Sequence, residues 1–351
     1  MIQSIRLQHF RSYDDDSFEF NDGVNIIVGP NASGKTNLLE ALLVVSRGSS
    51  YRAHDIDLVE HNEPWARLDA LVDGAQRTVK LTRDPVPEKI YEIEGRSFKH
   101  LSLERTVPVV LFEPNHLTLL TGSPERRRDY LDELLSQTTV GYVALIRAYR
   151  RTLAQRNHLL KTKHPSQQAL FPWDVRLSEL GARVVRARET LVERMNHKIA
   201  GLYADLSESQ AMVAMTYQTG AGSEQYESIM LRELEVRQQD DITRGFTSFG
   251  PHRDDVGVYF NETPAAEIAS RGETRTFVLG LKILELQLLE EQREQTPLLL
   301  LDDVFSELDG ARRQALTRHL QSYQTCITTT DADIVAHHFA AHSNVILISN
   351  N

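Results

Sequence analysis

Cysteine is almost missing from this chain: its 351 residues include only Cys326. A lone thiol excludes an internal disulfide, and no Cys or His spacing suggests a structural zinc site. Cys326 stands in Thr325-Cys326-Ile327-Thr328, which reads as a buried strand with an inert thiol. Long apolar runs are missing too. No segment approaches the roughly 18 consecutive apolar residues of a membrane span. Met-Ile-Gln-Ser-Ile-Arg lacks the basic start and apolar core of a signal peptide, so a cytoplasmic protein with no membrane partner is expected. Basic residues are in deficit, 39 Lys and Arg against 49 Asp and Glu, a formal charge of −10. Such a chain repels polyanions overall, so any nucleic-acid contact needs a local basic surface. No internal repeat or low-complexity tract is visible. The rest is ordinary for a globular protein, 41 % hydrophobic and 25 % charged, and long enough for two domains or for one with an insertion.

The most telling stretch is Gly29-Pro30-Asn31-Ala32-Ser33-Gly34-Lys35-Thr36, a full G-x-x-x-x-G-K-[ST] match. The apolar run Val24 to Val28 before it reads as a buried strand, and Asn37 to Val45 after it as a helix. A glycine-rich loop in that setting turns backbone N–H groups toward a phosphate at the helix N-terminus. Gly29 to Asn37 are therefore candidate nucleotide contacts, with Lys35 on the β- and γ-phosphates and Thr36 on Mg²⁺.

The first hundred residues look β-rich, with strands over Ala66–Val72, Arg77–Leu81, Ile90–Ile93 and Val107–Phe112. Helical spacing then dominates from Pro124 to Leu206. Trp173, Leu177, Leu180, Val184, Leu191, Met195 and Ile199 mark one long amphipathic helix; Tyr142, Ile146, Tyr149, Leu153 and Leu160 mark a second. Lys163-His164-Pro165-Ser166 makes the turn between them. Beyond Val213 the mixed pattern returns, with a strand over Val256–Phe260 and a helix over Thr276–Leu289 buried nearly all round. The fold expected is α/β, a P-loop ATPase head with a mixed sheet. Its two parts, 1–120 and 211–351, flank an inserted helical domain over 121–210.

Leu298-Leu299-Leu300-Leu301-Asp302-Asp303 runs a central strand into two acids, and ligands gather at the carboxyl end of such strands. Asp302 is the candidate Mg²⁺ ligand and Asp303 the candidate base for the attacking water. Lys35 and Asp302 are 267 residues apart, an insertion habit that resembles the ABC and SMC class. That class has a signature loop before the metal-binding strand, and Ser270-Arg271-Gly272-Glu273 stands 32 residues before Asp302. Ser270 and Gly272 are thus candidate contacts to a nucleotide held by a second copy; alone, the tetrapeptide reads equally as a helix N-cap. Ser306-Glu307-Leu308-Asp309 takes the place of a D-loop.

Taken together, the motifs resemble the RecF family of bacterial recombination mediators. Phe10-Arg11-Ser12-Tyr13, Gly34 to Ala41, Gly48 to Arg52, Gly122-Ser123-Pro124 with Arg126-Arg127, Gln155-Arg156-Asn157, Gly250 to Asp255 and Leu301 to Val304 are all similar to the family's motifs. The chain departs from it at Pro30, Ala32 and Ser33 in the loop, at Glu273 where Gln is usual, and at Asn115-His116 where acids are frequent. The resemblance implies an ATP- and Mg²⁺-dependent ATPase head without a long coiled coil. ATP joins two copies, which bind duplex DNA near single-strand gaps and act with RecR and RecO to load RecA, and slow hydrolysis serves release. It also implies a threonine γ-phosphate sensor in Thr328-Thr329-Thr330-Asp331, with Thr329 as the candidate. A transporter ATPase subunit is the main alternative; a small-substrate P-loop kinase and an ATP-binding scaffold without hydrolysis rank lower.

Residues 139–163 hold Arg147, Arg150, Arg151, Arg156, Lys161 and Lys163 and no acid. Taking that +6 from −10 leaves −16 on the remainder, a strong segregation. Arg147, Arg151, His158 and Lys161 share one helical stripe, suited to phosphate contacts. A solvated basic face remains the rival reading. Arg126-Arg127-Arg128 either joins this patch or pairs with Asp129 and Asp132 on its own helix. His252 is the single histidine in a motif of interest, and the Gly250-Pro251 turn alone would account for it.

Overall fold

The computed structural model describes residues 1–162, 166–207, 211–330 and 343–349. The chain forms two compact units, Met1–Leu117 with Glu285–Asn351, and Thr118–Leu284. Lys163, the turn beginning there and Asp331 lie outside the described residues.

Unit one opens with β1 (Ile2–Phe10), β2 (Tyr13–Glu19), β3 (Val24–Val28), α1 (Lys35–Arg47), β4 (Trp65–Val72), β5 (Ala75–Thr82), β6 (Glu88–Ile93), β7 (Arg96–Phe98) and β8 (Val109–Phe112). Unit two holds α2 (Pro124–Thr138), α3 (Tyr142–Leu160), α4 (Gln167–Ser207), β9 (Val213–Gln218), α5 (Tyr226–Val236), α6 (Gln238–Arg244), β10 (Asp255–Phe260), β11 (Thr263–Pro264) and α7 (Ala265–Ile268). Helix α8 (Arg271–Arg293) carries the chain back to unit one, which ends with β12 (Leu298–Asp302), α9 (Val304–Glu307), α10 (Gly310–Leu320), β13 (Thr325–Thr329) and β14 (Asn344–Leu347).

Two sheets build unit one. The first is antiparallel, in the order β2-β1-β4-β5-β6-β7. The second is parallel, β14-β3-β13-β12-β8. Its central strands read as continuous apolar runs because both faces are covered: every residue of β12 and β13 is buried. Helix α1 shares a core with both sheets through Leu38, Leu39, Leu42, Leu43 and Val45. The order also decides the site, since β13 lies between the strand that feeds the glycine loop and the strand that ends in Asp302.

Helix α4, 41 residues and about 60 Å long, buries the expected stripe of Leu177, Leu180, Val184, Leu191, Met195 and Ile199. Thr276–Leu289 of α8 is buried except at half-exposed Gln287. The second unit runs on to Leu284, well past the expected return at 211, because β9 pairs with β10 and α4 packs on β9.

Unit two contains a buried ionic network that collects several motif residues. Arg156 is completely buried; it donates from Nε to Asp174, and from Nη1 to Asp241 Oδ2 at 2.7 Å and Thr247 Oγ1 at 2.9 Å. This corrects its place among the DNA-contact candidates: completely buried between two carboxylates, it is out of reach of a phosphate at the surface. Arg188 forks onto Asp132 at 2.9 and 3.1 Å and donates to Pro251 O at 2.7 Å. Arg127 forks onto Asp255 at 2.7 and 2.8 Å, Arg128 donates to Asp254 O, and Arg126 donates to Thr118 Oγ1. For Arg127 and Arg128 both readings therefore give way: they fasten the start of α2 to its own turn and to the edge of β10, while Arg126 stays exposed.

His252 belongs to the same network. Its Nδ1 lies 2.7 Å from Tyr149 Oη and its Nε2 3.0 Å from Thr247 O, which fits a neutral ring donating from Nε2. Burial pushes its pKa down to about 4, while burial lifts the neighbouring Asp254 to about 6. From pH 6.5 down to about 4, an unfolded chain takes up the proton that folded His252 refuses, so stability is lost as pH falls through that window. Asp254 acts oppositely between about 6 and 4 and offsets part of the loss. His252→Gln removes the histidine side alone. Its stability relative to the parent should improve by about 3 kcal/mol from pH 7 to pH 4, read by chemical denaturation at each pH. A constant difference would mean that folded His252 takes up its proton as readily as the unfolded chain does.

Candidate nucleotide-binding site

The loop between β3 and α1 is shaped by backbone demands. Gly34 has φ +102°, and a Cβ there would stand 2.9 Å from Ser12 Oγ and 3.0 Å from Tyr13 Oη, so only glycine fits. Tyr13 Oη donates to Gly34 O at 3.0 Å, tying β2 to the loop. Ala32 has φ +66°, a left-handed backbone that costs a non-glycine residue roughly 1 kcal/mol. Glycine would take this backbone freely, and the alanine holds the loop at a small cost.

Lys35 is buried, and its Nζ donates to Gly29 O at 2.9 Å and Pro30 O at 2.8 Å. Thr36 Oγ1 donates to Asp302 Oδ1 at 2.9 Å, which brings together the two halves of the site across 266 residues. Thr328, on the intervening strand β13, donates to the same Asp302 oxygen at 2.9 Å and accepts from Asp303 N at 2.9 Å. Thr329, the residue expected to sense the γ-phosphate, is buried at the end of β13. Thr328 carries no motif signal of its own; the register pairing Asp302 with Thr328 puts it on the candidate metal-binding acid.

Asp303 is half-buried and sits at φ +52° as the N-cap of α9, an unusual backbone of the kind functional sites hold in place. Burial raises its carboxyl pKa, the Asp302 charge adds to the rise, and Lys35 opposes it. The residues fit a Mg²⁺–triphosphate. Ser33 Oγ is buried in the loop with no hydrogen-bond partner, and the hydroxyl of Thr36 and the carboxylate of Asp302 are hard oxygen donors.

A second buried cluster supports the loop helix. Glu40 of α1 is fully buried and accepts from Arg11 at 2.8 and 3.0 Å, from Arg52 Nη2 at 2.9 Å and from Ser50 Oγ. Burial alone would raise its pKa, but Arg11, Arg52 and Ser50 hold it below the usual carboxylate range. Arg52 also donates to Asn37 Oδ1 at 2.7 Å, and Asn37 Nδ2 donates to Ser12 Oγ. The motifs around Phe10 and Gly48 thus converge on the first turns of α1. The sequence held a signal for Glu40, an acid inside the apolar run Leu38-Leu39-Glu40-Ala41-Leu42-Leu43.

In unit two, Ser270 is exposed ahead of α8 and forms a reciprocal capping box: Ser270 N donates to Glu273 Oε2 at 2.8 Å and Glu273 N to Ser270 Oγ at 3.2 Å. Gly272 lies in the first turn. Arg147, Arg151 and Lys161 are exposed on and just after α3, while Arg150 bridges Asp129 and Asp132 at 3.2 Å each. His116 of the Asn115-His116 turn accepts from Glu113 N at 3.0 Å. Asp309 caps α10 through Arg312 N.

The family model described as RecF/RecN/SMC N terminal domain matches residues 1–347. The chain is 35 % identical over 342 residues to the DNA replication and repair protein RecF of Heliobacterium modesticaldum, covering 94 % of this chain and 92 % of that one. The chain belongs to the RecF family. The RecF of Tropheryma whipplei is 33 % identical, with the same coverage of both chains. Among solved structures, the recombination mediator protein RecF-ATP in the RecFOR pathway matches with a TM-score of 0.84 at 29 % identity, covering 94 % of this chain and 92 % of that one. An Smc head domain from Pyrococcus furiosus matches with a TM-score of 0.51 at 15 % identity over 96 % of this chain and 91 % of that one, which is a likeness of fold alone. The expected ABC/SMC-type α/β head is the fold observed, and among the described residues no helix is long and apolar enough to cross a membrane.

Proposed function

We propose that this protein is an ATP-hydrolysing, DNA-binding clamp of recombinational repair. ATP binds at Gly29–Asn37, and Thr36 and Asp302 would hold Mg²⁺, which supplies charge neutralisation to the phosphates. Lys35 meets the β- and γ-phosphates, Asp303 takes the proton of the attacking water, and Thr329 senses the γ-phosphate. Ser270 and Gly272 of a second copy close the site, making the active species an ATP-induced dimer. That dimer engages duplex DNA near single-strand gaps through the exposed cations of α3, acts with RecR and RecO in loading RecA, and lets go on slow hydrolysis. The observation that carries the reading is the Thr36–Asp302 hydrogen bond beside a buried Lys35, in a chain that matches RecF almost end to end.

Light scattering tests it. The 39.9 kDa chain should double in mass with saturating ATP and return to monomer as ATP is consumed. Monomers that hydrolyse ATP at full rate irrespective of protein concentration would overturn the dimer reading.

A further inference from the structure

Unit two carries a groove that the ATPase reading leaves unused. It measures about 400 Å³ and lies between the end of α2, the turn over 139–141, the start of α3 and the middle of α4. Leu135, Tyr142, Leu145 and Leu191 form an apolar floor, and Val140, 76 % exposed, stands at the mouth. The rim is basic. Arg183, Arg186 and Arg194 line it from one face of α4, spaced three and eight residues apart. Among the described residues no acid lines the groove, and none of these three guanidinium groups has a hydrogen bond or ion pair. Three unpaired arginines around an apolar recess are conspicuous in a chain with a formal charge of −10.

We propose that this groove docks an acidic peptide segment of a partner protein, with one or two apolar anchor residues set between carboxylates. The charge selects an acidic ligand, since arginine forks match carboxylates in pairs. The apolar recess selects a peptide over a nucleic-acid backbone. A duplex offers phosphates to the rim and nothing to fill the floor, whereas an anchor residue seated in a pocket with charges around it is the usual plan of a protein hot spot. The anchor side chain covers Val140 and the floor, and its flanking carboxylates meet the arginines.

The test uses the full chain and a fluorescein-labelled heptapeptide, Glu-Asp-Leu-Asp-Phe-Glu-Asp, followed by anisotropy. Saturable binding is expected below about 50 μM. The double substitution Arg183→Glu/Arg186→Glu should weaken it at least about tenfold, and so should replacing both peptide anchors with serine. Binding of a fluorescent ATP analogue should stay unchanged in that variant, which keeps this inference separable from the ATPase reading. No binding at about 500 μM, or equal binding of both peptides, overturns the proposal. So does a short DNA duplex that loses affinity on charge reversal while the peptide does not bind, which would make the rim a DNA contact instead.

Discussion

Asp303→Asn is expected to bind ATP as the parent does, to turn it over at least about a hundredfold more slowly, and to accumulate as a dimer. The substitution keeps the shape of the side chain and removes its ability to take a proton. Asp303 suits that task better than Asp302. The Asp302 Oδ1 oxygen is already shared by the hydroxyls of Thr36 and Thr328, so it is the less available of the two to take a proton. Asp303 is fixed through its backbone N–H to Thr328, while burial and the adjacent Asp302 charge push its pKa upward, which favours proton uptake. Asp302→Asn should instead weaken the Mg²⁺-dependent part of nucleotide binding. Radiolabelled ATP turnover together with light scattering separates the two, and rapid hydrolysis by Asp303→Asn would show that another group activates the water.

Arg156→Ala is expected to cost about 3–5 kcal/mol, because removing one partner of a buried ion cluster strands the others. Asp174 and Asp241 would be left buried and facing each other with no cation between them. A melting point lower by about 10 °C follows for a unit of this size. Arg151→Ala is the contrast. Its side chain is exposed, so the melting point should hold, while the slope of log affinity for duplex DNA against log salt falls by about 0.9. Equal melting of the parent and Arg156→Ala would refute the burial, and an unchanged salt slope for Arg151→Ala would take α3 out of the DNA surface.

The site was legible where chemistry and periodicity coincide. An apolar run into a glycine loop and four leucines into two acids give β3 and β12 with the right ends. Strand β1 was hidden by a register shift between Ile2 and Ser4: its buried residues fall at 2, 5, 7 and 10, so strict alternation breaks. In β2, three successive aspartates mask the pattern on a strand at the sheet edge. The extent of unit two was not readable, since β9 meets β10 only through pairing across some forty residues of chain. The burial of Arg156 is readable from helix geometry. This arginine lies nine residues from Arg147, two and a half helical turns, and so on the opposite face from the exposed stripe. Composition alone, which makes 139–163 one basic block, hides that geometry.

Lys35 is latched to its own loop. Its ammonium is clasped by two carbonyls, of Gly29 and Pro30, each a charge-assisted hydrogen bond. Two partners pin the end of a long, rotatable side chain, so the shape of the loop and the position of its one positive charge are set together. A substitution that moves either carbonyl moves the charge with it.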